Sequence, residues 1–289
     1  MIREKYIVAN NMRLHVFTAG EAGAPPVILL HGSGVDAALL SWREAIQPLG
    51  EHFQVFAPDL PGYGESQSFR GIYTTDGLIE TLSGLMDALE LQSASLVGLS
   101  MGGAVALGYT LAYPARVDRL VLVDAYGLQR KAPFHSLAYL VTKMPWLYHF
   151  VYHRFRRSRW LVRMAVRGTL GKPSNMQPEM VDEVFEVMQN REPQMSFASW
   201  QLDELSWRGV KTCFADRLSL IENQTLIIHG EKDRVVPLAD ARLAAQRIQN
   251  VRLVTLPDTG HWLPREQPVT FNRILIDFLR EMNGRENSD

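Results

Sequence analysis

The chain has 289 residues, 46% of them hydrophobic and 21% charged, with 30 Lys and Arg against 31 Asp and Glu and a formal charge of −1. That balance lacks the basic excess expected of a generic nucleic-acid binder. The single cysteine, Cys213, excludes an intrachain disulfide framework and a cysteine-based zinc site, and no uninterrupted apolar run reaches the ~18 residues of a membrane-spanning helix.

The N-terminal stretch Met1 to Asn11 contains Arg3, Glu4 and Lys5 and lacks the apolar core of a signal peptide. A cytoplasmic protein is therefore expected. Tyr6 to Ala9 and Met12 to Thr18 flank Asn10-Asn11, which predicts an antiparallel hairpin at one sheet edge. Further strands are predicted at Pro26 to Leu30, Gln54 to Ala57, Ser95 to Leu99, Leu120 to Asp124, Thr225 to His229 and Val251 to Leu256. Runs such as Val27-Ile28-Leu29-Leu30 are continuously apolar, the mark of strands buried on both faces. Helical patterns fall at Asp76 to Leu89, Met101 to Ala112, Leu238 to Ile248 and Pro268 to Met282. Alternation of this kind predicts an α/β layered fold with helices on both faces of a mostly parallel sheet.

The alternation stops between Gly127 and Cys213, which reads as helical throughout. The expected organisation is a core of residues 1–126 and 214–289, with 127–213 inserted as a helical lid over the sheet's carboxyl edge. Gly127 to Lys172 carries Arg130, Lys131, Lys143, Arg154, Arg156, Arg157, Arg159, Arg163, Arg167 and Lys172, with no acid. Glu179, Asp182, Glu183, Glu186, Glu192, Asp203 and Glu204 follow. The simpler reading is that the two halves neutralise each other. The sharper one is a weak contact of the basic half with an anionic substrate or membrane surface.

Gly98-Leu99-Ser100-Met101-Gly102 lies between a strand and a small-residue helix. G-x-S-x-G in that setting holds a serine on a strained turn, with its Oγ above the sheet. A serine hydroxyl needs a base, and His261, in the turn after the last strand, is the candidate among eight histidines. His31 and His229, at strand ends before glycines, are expected to make structural hydrogen bonds. Asp233, leaving the strand Thr225 to His229, is the expected acid, and Asp124 is the second choice. Ser100, Asp233, His261 is also the chain order of this architecture. Backbone N–H groups of Ser33 and Met101 are the expected oxyanion donors, with Gly34 the alternative if the loop is rotated. Gly32, Gly34 and Trp262 are the expected substrate contacts. The Gly-rich loop lacks the P-loop lysine and the third glycine of a dinucleotide fingerprint, which disfavours nucleotide binding.

The segments His31-Gly32-Ser33-Gly34, Asp59 to Ser66, Gly98 to Gly103, Gly230 to Asp233 and Gly260-His261-Trp262 give the chain a resemblance to lidded, esterase-like α/β-hydrolase-fold proteins. The resemblance implies a serine hydrolase of small molecules without metal or organic cofactor. Asp59 to Ser66 is then a tight turn beside the site, with Tyr63 in reach of substrate. The expected activity is hydrolysis of carboxylic esters through an acyl-enzyme. The alternatives are a carbon–carbon bond hydrolase of aromatic ring-cleavage products, or a small-molecule receptor on the same fold. Carbon–carbon hydrolases carry a lid arginine beside the substrate, for which Arg191 is the nearest candidate.

Overall fold

A computed structural model describes residues 1–190 and 195–281. Ten strands are described: β1 Arg3–Ala9, β2 Met12–Ala19, β3 Pro26–Leu30, β4 Gln54–Pro58, β5 Ala94–Leu99, β6 Val117–Val123, β7 Leu205–Ser206, β8 Gly209–Val210, β9 Gln224–Gly230 and β10 Val251–Leu256. Eight of them form one sheet in the order β1-β2-β4-β3-β5-β6-β9-β10. β2 pairs antiparallel with both β1 and β4, and every other pairing is parallel. The predicted hairpin is therefore present, its turn made by Asn10 and Asn11, both at positive φ.

Helices α1 (Ala38–Leu49), α2 (Thr75–Ala88) and α3 (Met101–Ala112) lie in the first half, and α9 (Leu238–Ala245), α10 (Leu263–Glu266) and α11 (Pro268–Arg280) in the last part. The sheet separates two cores. Leu78, Leu82, Leu85, Val105 and Ala244 pack against one face, and Trp42, Ile46, Phe271 and Leu275 against the other. Central strands touch both, so β5 is buried along its whole length. The apolar run is the sequence's record of that double burial.

α1 was not among the predicted helices. Its buried positions, Ala38, Trp42, Ala45, Ile46 and Leu49, keep helical spacing. Its signal is blurred by Pro48 and by an uncapped start at Ala37.

Between β6 and β9 lie α4 (His135–Thr142), α5 (Pro145–Phe155), α6 (Arg159–Thr169), α7 (Pro178–Asn190) and α8 (Met195–Glu204). The segment is not helical throughout, because β7 and β8 form a two-residue antiparallel hairpin. A ladder this short leaves no alternation to read. Ser206 closes it, its Oγ donating to the Gly209 carbonyl at 2.8 Å.

Two carboxylates, Glu204 buried and Glu183 partly buried, tie the inserted segment to the core. Glu204 accepts from Thr212 N–H at 2.6 Å, Thr212 Oγ1 at 2.7 Å and the Tyr126 hydroxyl at 3.1 Å. Glu183 on α7 bridges Arg43 of α1 at 2.7 Å and Arg265 of α10 at 2.8 Å. Arg265 is only 4% exposed, so its charge depends on that carboxylate. Glu183→Ala should therefore lower unfolding free energy by about 2–4 kcal/mol in urea titration. Adding Arg265→Met should recover part of the loss.

Candidate active site

Four sheet-edge segments converge at the carboxyl ends of the parallel strands, where α/β sites form. Ser100 follows β5 with φ 51° and ψ −116°, a conformation a non-glycine residue adopts only under strain. The flanking glycines permit it. A Cβ on Gly98 would stand 2.3 Å from the Gly102 carbonyl oxygen, and one on Gly102 would stand 2.2 Å from that of Leu30. Met101 is the first residue of α3, so its N–H is among the helix's free donors.

His261 Nδ1–H donates to Asp233 Oδ2 at 2.8 Å, which leaves Nε2 to accept from the Ser100 hydroxyl at 3.0 Å. Asp233 is itself fixed, its Oδ1 accepting Val235 N–H at 2.7 Å and Val236 N–H at 3.0 Å. Burial disfavours the imidazolium of His261. The charge and hydrogen bond of Asp233 outweigh that, so its pKa is raised above the ordinary histidine value. The arrangement can take a proton from Ser100 and stabilise the cation that results.

Behind Asp233 sits a second buried pair. Asp124, at φ 43°, accepts from Gly230 N–H at 2.8 Å. Burial, then the charge of Asp233, pushes its carboxyl well above the usual carboxylate range. Burial likewise keeps His229 neutral, and its Nε2–H donates to the Val236 carbonyl at 3.1 Å. Asp124, His229 and Asp233 offer donor atoms within 4.8 Å of one another, the one such cluster with metal-like spacing among the described residues. Each already serves Gly230, Val236 or His261, so the spacing follows from packing around the acid.

The loop after β3 is organised by a residue the sequence reading missed. Asp36, fully buried, accepts Gly32 N–H at 2.8 Å, Ala37 N–H at 2.8 Å and the Ser41 hydroxyl at 2.8 Å. Ser41 in turn accepts from Trp262 Nε1–H at 3.1 Å, linking this loop to the one bearing His261. The only local signal is an acid four residues after Gly32. His31 is occupied structurally, its Nδ1–H donating to the Gly32 carbonyl and its Nε2 accepting from Leu60 N–H.

The loop of His261 is held by the inserted segment. His261 N–H donates to the Thr169 carbonyl at 2.7 Å. Glu266 accepts from Gly171 N–H, Asn175 Nδ2–H and Gly260 N–H at 2.7–2.9 Å. A Cβ on Gly260 would come within 2.2 Å of the Thr169 carbonyl oxygen, so this contact requires glycine.

A cavity of about 450 Å³ opens over Ser100 and His261. Gly32, Ser33, Gly34 and Trp262 line it. Tyr63 does not: it is buried against the His31 ring, with centroids 5.0 Å apart. The roof is apolar, from Tyr148, Tyr152 and Phe155 of α5, Val162 and Val166 of α6, and Val184 and Met188 of α7. Among the described residues no lysine or arginine lines it. Arg191 lies outside the described residues.

Asp233→Asn should lower kcat by about 10³–10⁴, as when a triad acid is neutralised. Asp124→Asn leaves the hydrogen bonds from Asp233 through His261 to Ser100 in place and should cost only a few-fold. Only neutral His261 accepts a proton, so kcat/KM should fall as pH drops through an apparent pKa above about 6.5, the ordinary histidine value. Asp233→Asn should move that limb to lower pH. A pH–rate profile of each variant checks both expectations.

A family model for the alpha/beta hydrolase fold matches residues 25–268. The chain is 29% identical over 283 residues to 2-hydroxy-6-oxo-2,4-heptadienoate hydrolase of Pseudomonas putida, covering 95% of each chain. It is 32% identical to 2-hydroxy-6-oxo-6-phenylhexa-2,4-dienoate hydrolase of Comamonas testosteroni, covering 93% of this chain and 91% of that one. The structure of a meta-cleavage product hydrolase from Pseudomonas fluorescens superposes with a TM-score of 0.81 at 30% identity, over 96% of this chain and 98% of the other. With its eight-stranded sheet and strand-end site, the chain belongs to the α/β-hydrolase fold family and is a hydrolase.

Proposed function

We propose that this protein is a serine hydrolase that cleaves a carbon–carbon bond beside a ketone, in a substrate of the 2-hydroxy-6-oxo-dienoate class. The observation that carries the reading is likeness along nearly the whole chain to hydrolases named for such substrates, at 29% and 32% identity. The Ser100–His261–Asp233 chain of hydrogen bonds supports it. In this proposal Ser100 Oγ attacks the 6-oxo carbon while His261 takes its proton. The oxyanion is held by Ser33 and Met101 N–H groups. The bond on the dienoate side of that carbon then breaks. For that bond to break, the dienoate first moves its 2-hydroxyl proton to C5 and becomes the 2-oxo-3-enoate. The electron pair then passes into the enone, and the fragment leaves as a dienolate that takes a proton from His261 to become the 2-hydroxy-dienoate. Water, deprotonated by His261, releases the acid from Ser100. Gly32, Gly34 and Trp262 contact substrate, and residues 127–213 act as a lid on the core formed by 1–126 and 214–289.

Hydrolysis of carboxylic esters by the same acyl-enzyme is the second reading. It is favoured by the cavity lining, which offers a substrate carboxylate no cation among the described residues. The readings part on substrate. Under the first, 2-hydroxy-6-oxo-6-phenylhexa-2,4-dienoate is turned over with kcat/KM at least tenfold above that for any p-nitrophenyl ester. Under the second the order reverses, and kcat/KM climbs from acetyl to longer acyl chains by up to about fourfold per methylene, or ~0.8 kcal/mol each. Ser100→Ala should abolish turnover in either case. Residual activity within tenfold of wild type would remove Ser100 as nucleophile.

A further inference from the structure

The inserted segment shows water a face that a globular enzyme normally covers. On α6, Trp160, Arg163, Met164 and Arg167 recur at i, i+3, i+4 and i+7, and all four are exposed. Val162 and Val166 turn the opposite way into the core. On α5, Trp146, Phe150, His153 and Arg154 share one side in the same manner and are exposed. Leu137 and Leu140 do so on α4, and the three helices pack in succession. Trp146 is 64% exposed, Phe150 60% and Trp160 66%.

Most of the charges beside them have no ion-pair partner among the described residues. Of the basic residues between 127 and 172, Arg130 and Lys172 pair with core aspartates, and Arg159 pairs with Asp182 on α7. Lys131, Lys143, Arg154, Arg157, Arg163 and Arg167 make no ion pair among the described residues. Among the described residues, the expected neutralisation between the two halves of the segment is thus met at one pair. No Asp or Glu lies in this stretch.

We propose that the exposed face of α4, α5 and α6 docks on the surface of an anionic lipid bilayer. Tryptophan beside arginine suits the headgroup layer, where an indole buries its ring and keeps its N–H wet, and long cationic side chains reach up to phosphate. A second copy of the chain is a poorer occupant. A two-fold interface on this face would set the same cations against each other. The cavity adds a reason for this placement. Val151 of α5 and Ala165 of α6 are exposed and also line it, so its mouth adjoins the docking face. Under the ester reading, an apolar substrate dissolved in the bilayer would meet the cavity without crossing water.

Co-sedimentation with vesicles tests the proposal, using phosphatidylcholine alone and phosphatidylcholine with phosphatidylglycerol. Wild type should bind only the anionic vesicles at about 0.05 M salt and be released at about 0.5 M, where screening is short. Arg163→Glu/Arg167→Glu should weaken binding by about tenfold or more, since each cation near such a surface contributes about fivefold. Trp146→Ser/Trp160→Ser should weaken it at least as clearly. Thermal unfolding midpoints within a few degrees of wild type would show that both variants fold. Failure of wild type to sediment with anionic vesicles overturns the proposal, as does equal binding by the variants. A wild-type dimer that Trp146→Ser/Trp160→Ser converts to monomer would give this face to a second copy instead.

Discussion

The imidazole of His261 is seated by backbone contact with the inserted segment. Thr169, at the end of α6, accepts its N–H, and Glu266 gathers N–H donors from Gly171, Asn175 and Gly260 around one carboxylate. The distance from His261 Nε2 to Ser100 therefore depends on elements on both sides of the site. Three glycines make this possible by leaving out the one atom that would hold the backbones apart. Gly260 meets Thr169, Gly171 meets Asp258, and Gly230 meets Gly260. Ser100 is seated by the same device, with Gly98 and Gly102 allowing the turn to press against the end of β3.

Electrostatics around this frame is sorted by burial. Of two neighbouring carboxyls, Asp233 accepts three hydrogen bonds, one of them from His261, whereas burial and the charge of Asp233 raise the carboxyl of Asp124 well above the usual range. The sequence reading put Asp233 ahead of Asp124 from chain position alone; in the structure the turn after β9 brings Asp233 into a hydrogen bond with His261.

What was legible in the sequence was what is local. Doubly buried strands leave continuous apolar runs, and the turn at Ser100 leaves its glycines in a five-residue window. Asp36, Glu183, Glu204 and Glu266 left no such trace, because their partners lie on distant segments and a single acid in a loop looks like any other. Asp36 acts across five residues and then, through Ser41, across more than two hundred to Trp262. The β7–β8 hairpin was invisible for the opposite reason: two residues a side carry no period at all. Charge in the inserted segment was legible as composition, but its pairing was not. Which arginine meets an acid depends on helix rotation, and α6 turns Arg163 and Arg167 to the same side as Trp160.

The Glu183 and Glu266 attachments also bear on how the chain acquires its structure. The helices between β6 and β9 interrupt the sheet in sequence, yet His261 and Arg265 close on them from beyond. The segment's docking site is thus incomplete until β9, β10 and α10 are in place. Folding of insertion and core should be one cooperative event rather than two. The inserted helices could not then be exchanged for another set without rebuilding residues 258–266, which clasp them.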